Sequence, residues 1–473
     1  MTILDELETL ILANHPHHSD VAQCLAELGA PSMSIAVMDN DEVFAKCYSV
    51  AGDDAETAFQ ACSISKAANA LATMKLVDEG RLTLGGKLLD LLPTEYLDII
   101  LDGSPAGQKP LIENITIKQL LSHTSGLAPA SFPGYSSSAA VPTMHEIIAG
   151  KMPANTTRFR LVSLPGHKFE YSGAGSTLLQ LILESVCGKS YRALMQDIVL
   201  TPLQMTHSFY NSREEKNRNL ARAHRTGYTE CDARHHYLPE LTTAGLWTTP
   251  TDLLKLIRDV QKSVTGEGGI LKQSTAKEML VEVDGGFSLG WQSRDSNPAV
   301  FGHSGSNEPG FRSLSMGFLD HDKNHPLSKS GIVVMTNADT GDLLRAQCMQ
   351  AISALKGWPF PEHEVRAQRL GRLPSESGDD WKAWKGEWKS RDGHSFLMKE
   401  DPNGLPLLVY DGLGEVVLLP TVDGRRGKGG GFLDFVLQGL PLLSIALETD
   451  GGLIKLQRLR GESEELKREK VVG

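Results

Sequence analysis

A serine and a lysine stand three residues apart in the run Ser63-Ile64-Ser65-Lys66, at the start of a helical pattern. Side chains three positions apart lie on the same side of a helix, so Lys66 would face Ser63. From Lys66 to Glu79 the chain contains neither Gly nor Pro and is apolar on more than one face, which indicates a buried helix. Burial and the positive helix N-terminus both disfavour the ammonium form of lysine. Lys66 could then take the hydroxyl proton of Ser63, which would make that serine a nucleophile.

Two other serines fit nucleophile motifs, but their surroundings argue against them. Residues 286–290 read Gly-Phe-Ser-Leu-Gly, the spacing of a nucleophile elbow, which requires a strand, a sharp turn and a helix. The polar residues 291–298 cannot form that helix, so Ser288 is interpreted as a strand residue. Ser274 and Lys277 repeat the Ser-x-x-Lys spacing, but Ser274 fits the N-cap of an exposed helix.

Tyr171 and His303 lie in two further segments that could reach the same cleft. Tyr171 follows a Pro-Gly turn and precedes an apolar helix predicted over 176–186. Its hydroxyl could point into a cleft or could be the hydrogen-bonded end of a core side chain. His303 lies in the run Gly-His-Ser-Gly-Ser over 302–306. This run could form an edge strand that offers N–H groups to a substrate, or an exposed turn.

The order of these motifs resembles the serine β-lactamase and penicillin-binding-protein superfamily. Ser-x-x-Lys at 63–66 is followed by Tyr-Ser-Gly at 171–173 and by His-Ser-Gly at 303–305. The chain looks most similar to class C β-lactamase-like (family VIII esterase-like) hydrolases, which include esterases, D-aminopeptidases and acyltransferases. Residues 121–127 (Leu-Ser-His-Thr-Ser-Gly-Leu) and 244–253 (Ala-Gly-Leu-Trp-Thr-Thr-Pro-Thr-Asp-Leu) are also typical of the group. The resemblance extends over residues 20–358.

This resemblance implies an α+β fold in which an antiparallel sheet is flanked by helices, with a helical subdomain beside the active site. It implies that Ser63 becomes acylated and that Lys66 is its partner base. It gives Tyr171 the role of shuttling a proton, either as a phenolate or as a hydrogen-bonded phenol.

The resemblance also assigns the substrate-binding edge and exposes two departures from the family pattern. The N–H groups of Ser63 and Ser306 would form the oxyanion hole, and Gly305 would let the substrate backbone approach the edge strand. His303 stands where many relatives have a lysine, and Gly173 stands where the penicillin-recognising members have an asparagine. The two departures predict a substrate other than a β-lactam or peptidoglycan.

The predicted function is a serine hydrolase that cleaves an ester or amide bond of a small intracellular metabolite through an acyl-enzyme on Ser63. Two alternatives remain open: an acyltransferase that passes the acyl group to an alcohol or amine, and a non-catalytic binding protein with the same fold. No metal ion and no organic cofactor are predicted, because the sequence has neither a Walker-type phosphate loop nor a Cys-x-x-Cys motif. The sequence does not indicate an oligomeric state.

The composition of the 473-residue chain argues against some partners. Lys and Arg number 47 against 58 Asp and Glu, a net charge of −11, whereas nucleic acids and anionic membrane surfaces attract basic proteins. No apolar run approaches the roughly 20 residues that span a bilayer. The N-terminus is acidic and lacks the features of a signal peptide, so we expect a cytoplasmic protein with reduced cysteines.

The sequence predicts three parts: a hydrolase domain over 1–360, a charged linker over 361–380, and a small β-barrel or lipocalin-like domain over 381–473. In the last part, short apolar runs alternate with Gly-containing turns, which is typical of a small antiparallel sandwich or barrel, and a charged tail is predicted from 462. The first part should contain a hairpin (33–38 with 43–47), a strand (332–336) and further helices over 3–14, 117–121, 251–262 and 343–356.

Overall fold

The computed structural model contains two compact units. It describes residues 2–13, 18–27, 29–210, 218–225, 229–230, 235–294, 299–360 and 385–390, together with the remaining strands of a C-terminal barrel. The first unit comprises residues 1–341 and 355–359, and the second comprises 342–354 and 360–473. The predicted linker over 361–380 lies outside the described residues, and the domain limits at 360 and 381 stay predictions.

Helices and short strands alternate through the chain before the barrel. The helices are α1 (Ile3–Ala13), α2 (Val21–Glu27), α3 (Ile64–Asp78), α4 (Leu88–Leu91), α5 (Thr94–Asp102), α6 (Lys109–Glu113), α7 (Ile117–Leu121), α8 (Met144–Ala149), α9 (Gly173–Cys187), α10 (Tyr191–Met195), α11 (Leu241–Ala244), α12 (Pro250–Thr265), α13 (Gln273–Leu280) and α14 (Gly341–Lys356). The strands are β1 (Ser32–Asp39), β2 (Glu42–Ser49), β3 (Phe59–Gln60), β4 (Leu127–Ala128), β5 (Arg160–Leu161), β6 (Phe209–Tyr210), β7 (His224–Arg225), β8 (Thr229–Glu230), β9 (Leu246–Thr248), β10 (Gln292–Arg294), β11 (Ala299–Asn307), β12 (Phe311–Leu319) and β13 (Gly331–Thr336). Shorter helical turns lie at Ala106–Gln108, Gln196–Leu200 and Pro326–Lys329.

A six-stranded sheet in the order β10-β11-β12-β13-β1-β2 forms the centre of the first unit, and all of its pairings are antiparallel. The predicted hairpin is β1 and β2, and its turn residues Asn40 and Asp41 have φ angles of 52° and 69°. Asn and Asp tolerate this left-handed conformation better than most residues, which is why they favour such hairpin turns. β1 and β13 are buried along almost their whole length, so both faces of the sheet are covered. This mixture of helices and an antiparallel sheet is the predicted α+β fold.

The helix that carries the Ser-x-x-Lys motif is buried as predicted. Nearly every residue of α3 is buried. The C-cap of the helix is Glu79, and Gly80 follows it with a φ of 70°. The loop before β10 packs closely on this helix. A Cβ atom added to Gly290 would lie 2.4 Å from the Ala70 side chain and 3.2 Å from the Lys66 carbonyl oxygen. The small side chain at Ala70 therefore lets a distant loop close over the helix.

The two rival serines lie outside the contexts that their motifs require. Ser288 is buried in the loop before β10, where its Oγ donates to the Trp291 carbonyl oxygen (3.2 Å), so the prediction of a strand residue was wrong. Ser274 is exposed inside α13, whose N-cap is Lys272, so the prediction of an N-cap was wrong by two positions. The N-cap of α12 is Thr249.

The C-terminal strands form a closed antiparallel barrel in which consecutive strands pair and the last strand pairs with the first. Closure leaves no unpaired sheet edge, and this distinguishes a barrel from the open sandwich that the sequence left possible. Its strands are β14 (Gly386–Ser390), β15 (Ser395–Glu400), β16 (Pro406–Tyr410), β17 (Gly414–Pro420), β18 (Phe432–Leu437), β19 (Leu440–Glu448), β20 (Leu453–Arg458) and β21 (Ser463–Lys467). The segment predicted as a charged tail therefore begins with a barrel strand, and 468–473 lie outside the described residues.

Among the described helices, none is both long enough and apolar enough to pass through a bilayer. Over the same residues, no three His, Cys, Asp or Glu side chains come together as a potential metal site.

Candidate active site

Ser63 lies at the start of α3, and its hydroxyl is not used to cap the helix. The chain enters the helix through Cys62, whose φ of 53° is unusual for a residue other than glycine. The Ser65 hydroxyl donates to the Cys62 carbonyl oxygen (2.7 Å), and the Lys66 backbone N–H donates to the Ser63 carbonyl oxygen (3.0 Å). These bonds fix the first turn without using the Ser63 hydroxyl. The partly exposed Ser63 Oγ therefore remains available for chemistry.

Lys66 is 3% exposed, and its ammonium-bearing end is directed at Ser63. Its Nζ donates to Ser63 Oγ (3.2 Å) and to the Thr243 carbonyl oxygen (2.8 Å). Burial lowers the pKa of Lys66 from 10.5 to about 7, and the nearby Cys62 thiol opposes this shift. Near neutral pH a large share of Lys66 is thus an uncharged amine, with a lone pair that can accept a proton. No pattern in the sequence indicated the role of Thr243, whose backbone oxygen accepts from the amine and orients it.

Tyr171 precedes α9 and lies against both members of the pair. Lys66 Nζ is 4.9 Å from the centre of the Tyr171 ring. Burial raises the pKa of Tyr171 well above its usual value, and a hydrogen bond with the Ser63 side chain opposes that shift. The direction of this shift favours the hydrogen-bonded phenol over the phenolate.

Gly173 marks the first departure from the family pattern, and the space beside it is filled. A Cβ atom at this position would lie 2.7 Å from the Ala130 carbonyl oxygen and 2.9 Å from the Phe132 ring. The Ala174 N–H donates to the Pro129 carbonyl oxygen (2.9 Å), which holds the loop in place. An asparagine could not enter here unless the loop moved.

His303 is buried in β11 and is held in one tautomer. Its Nδ1 lies 2.5 Å from the Ser304 carbonyl oxygen, which can only accept, so Nδ1 carries the proton. Burial and the nearby Lys66 charge lower the pKa of His303 to about 3. The ring is therefore neutral at ordinary pH, with a lone pair on a buried Nε2 that has no partner among the described residues. The alternative of an exposed turn at this position was wrong.

The strand that carries His303 has an open edge beside the site. β11 pairs with β12 along its whole length, but β10 pairs only with residues 300–302 of β11. Within the described residues, no strand continues that pairing along 303–307. Ser306 belongs to this open stretch, and its side chain is exposed.

Alternation along β11 directs His303, Gly305 and Asn307 to one face of the sheet, and Ser306 to the other. A Cβ atom at Gly305 would lie 2.5 Å from the Ser63 backbone nitrogen and 2.6 Å from the Cys62 Cβ. The start of α3 therefore packs directly on the strand at Gly305. Because the Ser306 side chain points away from this face, only its backbone can serve the site.

Substituting Gly305 with alanine should separate the strand from Ser63. The neighbouring atoms are two backbone atoms and the Cys62 Cβ, which is bonded directly to the backbone, so none of them can rotate away. We therefore expect kcat/KM to fall by about 100-fold, the order of effect of a misplacement near 1 Å. Steady-state kinetics with an activated ester would measure the loss. Gly107→Ala is the matched control, because nothing lies within 4 Å of a Cβ atom there. Unchanged kinetics in Gly305→Ala would contradict the close approach.

An aromatic cluster that the sequence did not predict surrounds the site. The Phe169 and Phe287 rings stack with centroids 4.6 Å apart, and the Phe287 and His303 rings pack edge to face with centroids 5.9 Å apart. The His123 ring lies 4.4 Å from that of Tyr171 and 5.6 Å from that of Phe287. His123 lies in the stretch 121–127, which resembles the family, and Phe287 lies in the run 286–290. An aromatic residue beside a polar motif was the one feature of the sequence that could have indicated this cluster.

Comparisons with solved structures show the same fold at low sequence identity. The octameric penicillin-binding protein homologue from Pyrococcus abyssi matches with a TM-score of 0.57 and 22% identity, over 94% of this chain and 98% of that one. The D-amino acid amidase from Ochrobactrum anthropi SV3, complexed with L-phenylalanine amide, matches with a TM-score of 0.53 and 18% identity, over 71% of this chain and 91% of that one.

Sequence comparisons identify the family. Protein flp from Staphylococcus aureus (strain N315) is 28% identical over 325 residues, which cover 66% of this chain and 60% of that protein. The chain thus spans about 60% of the length of the first curated relatives that it matches. A family model described as Beta-lactamase matches residues 19–354, well over half of the sequence. The chain belongs to the beta-lactamase family.

Proposed function

We propose that this protein forms an acyl-enzyme on Ser63 and cleaves an ester or amide bond of a small metabolite. The observation that carries the proposal is the buried Lys66 amine, 3.2 Å from Ser63 Oγ. A lysine is rarely buried without an ionic partner, and its burial here lowers its pKa to about 7, which suits a general base at neutral pH.

Three side chains would carry out the acylation step. The neutral Lys66 amine takes the proton of the Ser63 hydroxyl while Oγ attacks the substrate carbonyl carbon. The carbonyl electron pair moves onto oxygen, where the N–H groups of Ser63 and Ser306 would stabilise the negative charge. The oxyanion then collapses and the bond to the leaving group breaks. The Tyr171 phenol, hydrogen-bonded to Ser63, gives its proton to the leaving alcohol or amine and takes the proton that Lys66 received from Ser63, which restores the phenol and the neutral amine.

The second step releases the acyl group from Ser63. Attack by water yields a carboxylic acid and makes the protein a hydrolase, whereas attack by an alcohol or amine yields a new ester or amide. Adding increasing concentrations of a simple alcohol or amine, and measuring the ratio of transfer product to acid, distinguishes the two outcomes. Amino-acid amides belong among the donors tested, because one structural neighbour is a D-amino acid amidase.

Labelling of the nucleophile tests the proposal directly. Incubation with a fluorophosphonate should add one covalent group, and peptide mapping by mass spectrometry should place it on Ser63. Labelling should be lost in Ser63→Ala and retained in Ser274→Ala, the serine of the exposed second Ser-x-x-Lys run. A protein that turns over no activated ester and takes no label at Ser63 would be a binding protein.

The charges around the site indicate an uncharged acyl donor. His303 replaces the lysine that many relatives present to a substrate carboxylate, and its pKa of about 3 keeps it neutral. The loop at Ala130 and Phe132 fills the place of the family's asparagine side chain. A substrate carboxylate beside the scissile carbonyl would therefore find no permanently charged side chain at position 303 to pair with.

A pair of esters that differ by one carboxylate measures this preference. We expect p-nitrophenyl valerate to have a kcat/KM about 10- to 100-fold above that of the mono-p-nitrophenyl ester of glutaric acid. A hydrogen bond to a charged group contributes about 1.5–3 kcal/mol, and the loss of one such bond changes kcat/KM by a factor in this range. Nitrocefin, which carries a carboxylate, should be a poor substrate too. Equal rates for the two esters would contradict the preference.

A further inference from the structure

We propose that His123 is a positioning residue that holds the Tyr171 hydroxyl against Ser63 and Lys66. This inference rests on the proposed function, in which Tyr171 carries a proton. His123 lies in the loop after α7 and is 1% exposed. Its backbone has a φ of 56°, a left-handed conformation that few residues other than glycine adopt.

His123 contacts three consecutive residues centred on Tyr171. Its carbonyl oxygen accepts from the Glu170 N–H (2.8 Å), and its Nδ1 accepts from the Ser172 N–H (3.2 Å). Between these two bonds, the His123 ring packs on the Tyr171 ring with centroids 4.4 Å apart and planes inclined by 34°. The residues on either side of Tyr171 are thus fixed by the same residue that covers its ring.

The side of Tyr171 toward α9 is fixed independently. The Ser172 hydroxyl accepts from the Gly175 N–H (2.8 Å) and caps α9, and it donates to the Leu127 carbonyl oxygen (2.6 Å). His123 adds a restraint on the Tyr171 ring itself, beside the Lys66 amine that lies over the ring. No other ring among the described residues contacts Tyr171 as closely, because those of Phe287 and His303 lie at 6.0 and 6.4 Å.

The tautomer of His123 explains why a histidine suits this position. Since Nδ1 accepts a hydrogen bond from a backbone N–H, the neutral ring carries its proton on Nε2. Phenylalanine would keep the ring contact but leave the buried Ser172 N–H without an acceptor. Asparagine can place Oδ1 near the position of Nδ1 and keep that bond, but it removes the ring.

A double-mutant cycle between His123 and Tyr171 tests the proposal. We expect His123→Asn and Tyr171→Phe each to lower kcat by about 10- to 100-fold, with KM changed by less than about threefold. If His123 acts through Tyr171, the double variant should have a kcat within about threefold of Tyr171→Phe alone. A merely structural role would instead multiply the two losses, and that outcome would overturn the proposal.

Three further variants make the result decisive. His123→Phe, which retains the ring, should show the same non-additivity and covers the case in which His123→Asn does not fold. His145→Asn is the matched control, because His145 packs on Tyr96 with ring centroids 4.6 Å apart, on α8 and α5. It should leave kcat unchanged. If activity survives in Ser63→Ala, the proposed function itself is refuted. If activity requires Ser63 but both His123 variants keep the native kcat, only this inference is refuted.

Discussion

Replacing Ser63 with alanine is expected to lower kcat for an activated ester by at least about a thousandfold, because removal of a covalent nucleophile leaves only binding and oxyanion stabilisation. The fold should survive, since the Ser63 hydroxyl caps no helix N–H and the first turn of α3 is fixed by Ser65 and backbone bonds. Thermal denaturation should therefore give a Tm within a few degrees of the native value. Steady-state kinetics with p-nitrophenyl esters would measure the loss.

The same substitution at the two rival serines provides matched controls. Ser288→Ala removes one buried hydrogen bond, to the Trp291 carbonyl oxygen, and should lower the free energy of unfolding by about 1 kcal/mol without changing kcat per folded molecule. Ser274→Ala, on the exposed face of α13, should change neither quantity. Loss of activity in Ser288→Ala together with native activity in Ser63→Ala would mean that the assigned nucleophile is wrong.

Replacing Lys66 with methionine is expected to lower activity strongly and to raise stability at the same time. Methionine matches the length of the lysine stem but cannot accept the Ser63 proton, so kcat should fall by about 10²- to 10⁴-fold, the range that a general base contributes. In the native protein, only the neutral amine can act as the base. kcat/KM should therefore rise as the pH increases through about 7, the pKa of Lys66, and then level off. The methionine variant should lose this rise.

The stability gain follows from the same pKa shift. The pKa of Lys66 is about 7 in the folded state and near its ordinary 10.5 in the unfolded state, so the unfolded chain binds an extra proton between these values. Stability therefore rises with pH across this window, and the penalty of burying the amine is fully present below pH 7. The penalty of burying the Lys66 ammonium is about 4 kcal/mol, and the methionine variant escapes it. The same variant leaves the Thr243 carbonyl oxygen without a donor, which costs about 1–3 kcal/mol.

We therefore expect Lys66→Met to increase the free energy of unfolding by about 1–3 kcal/mol at pH 7, and by less at pH 10. Denaturant unfolding at the two pH values would measure both quantities. Lys277→Met is the matched control, because Lys277 is the exposed lysine of the second Ser-x-x-Lys run and should affect neither activity nor stability. A methionine variant that is less stable than the native protein would mean that Lys66 is not held as a buried base.

The sequence predicted the features that depend on local spacing. Ser63 and Lys66 face each other because they are three residues apart on a helix, and the run of small and apolar residues after them indicated that this helix is buried. The hairpin of β1 and β2 follows from Asn40 and Asp41 between two apolar runs. These patterns are short-range, so the identity of the residues was enough.

The features that the sequence did not indicate, or for which its prediction was wrong, depend on contacts between distant segments. The acceptor for Lys66 is the backbone oxygen of Thr243, which lies 177 positions away in the chain, and a backbone oxygen leaves no mark in a sequence. His303 fits an exposed turn or a buried strand equally well by composition. Its burial depends on α3, the Tyr171 segment and the loop of Phe287 meeting at one place.

From the sequence alone, the pairing of Ser63 with Lys66 and the order of the motifs could be predicted, because helical periodicity and residue type fix which side chains can face each other. The protonation states and the clearances around these residues depend on the tertiary structure. Burial by distant segments gives Lys66 a pKa near 7 and keeps His303 neutral. The packing of α3 on β11 requires Gly305, and the loop at Ala130 excludes a side chain at Gly173. Desolvation and steric exclusion depend on every atom that surrounds a group, and those atoms come from parts of the chain that only the fold brings together.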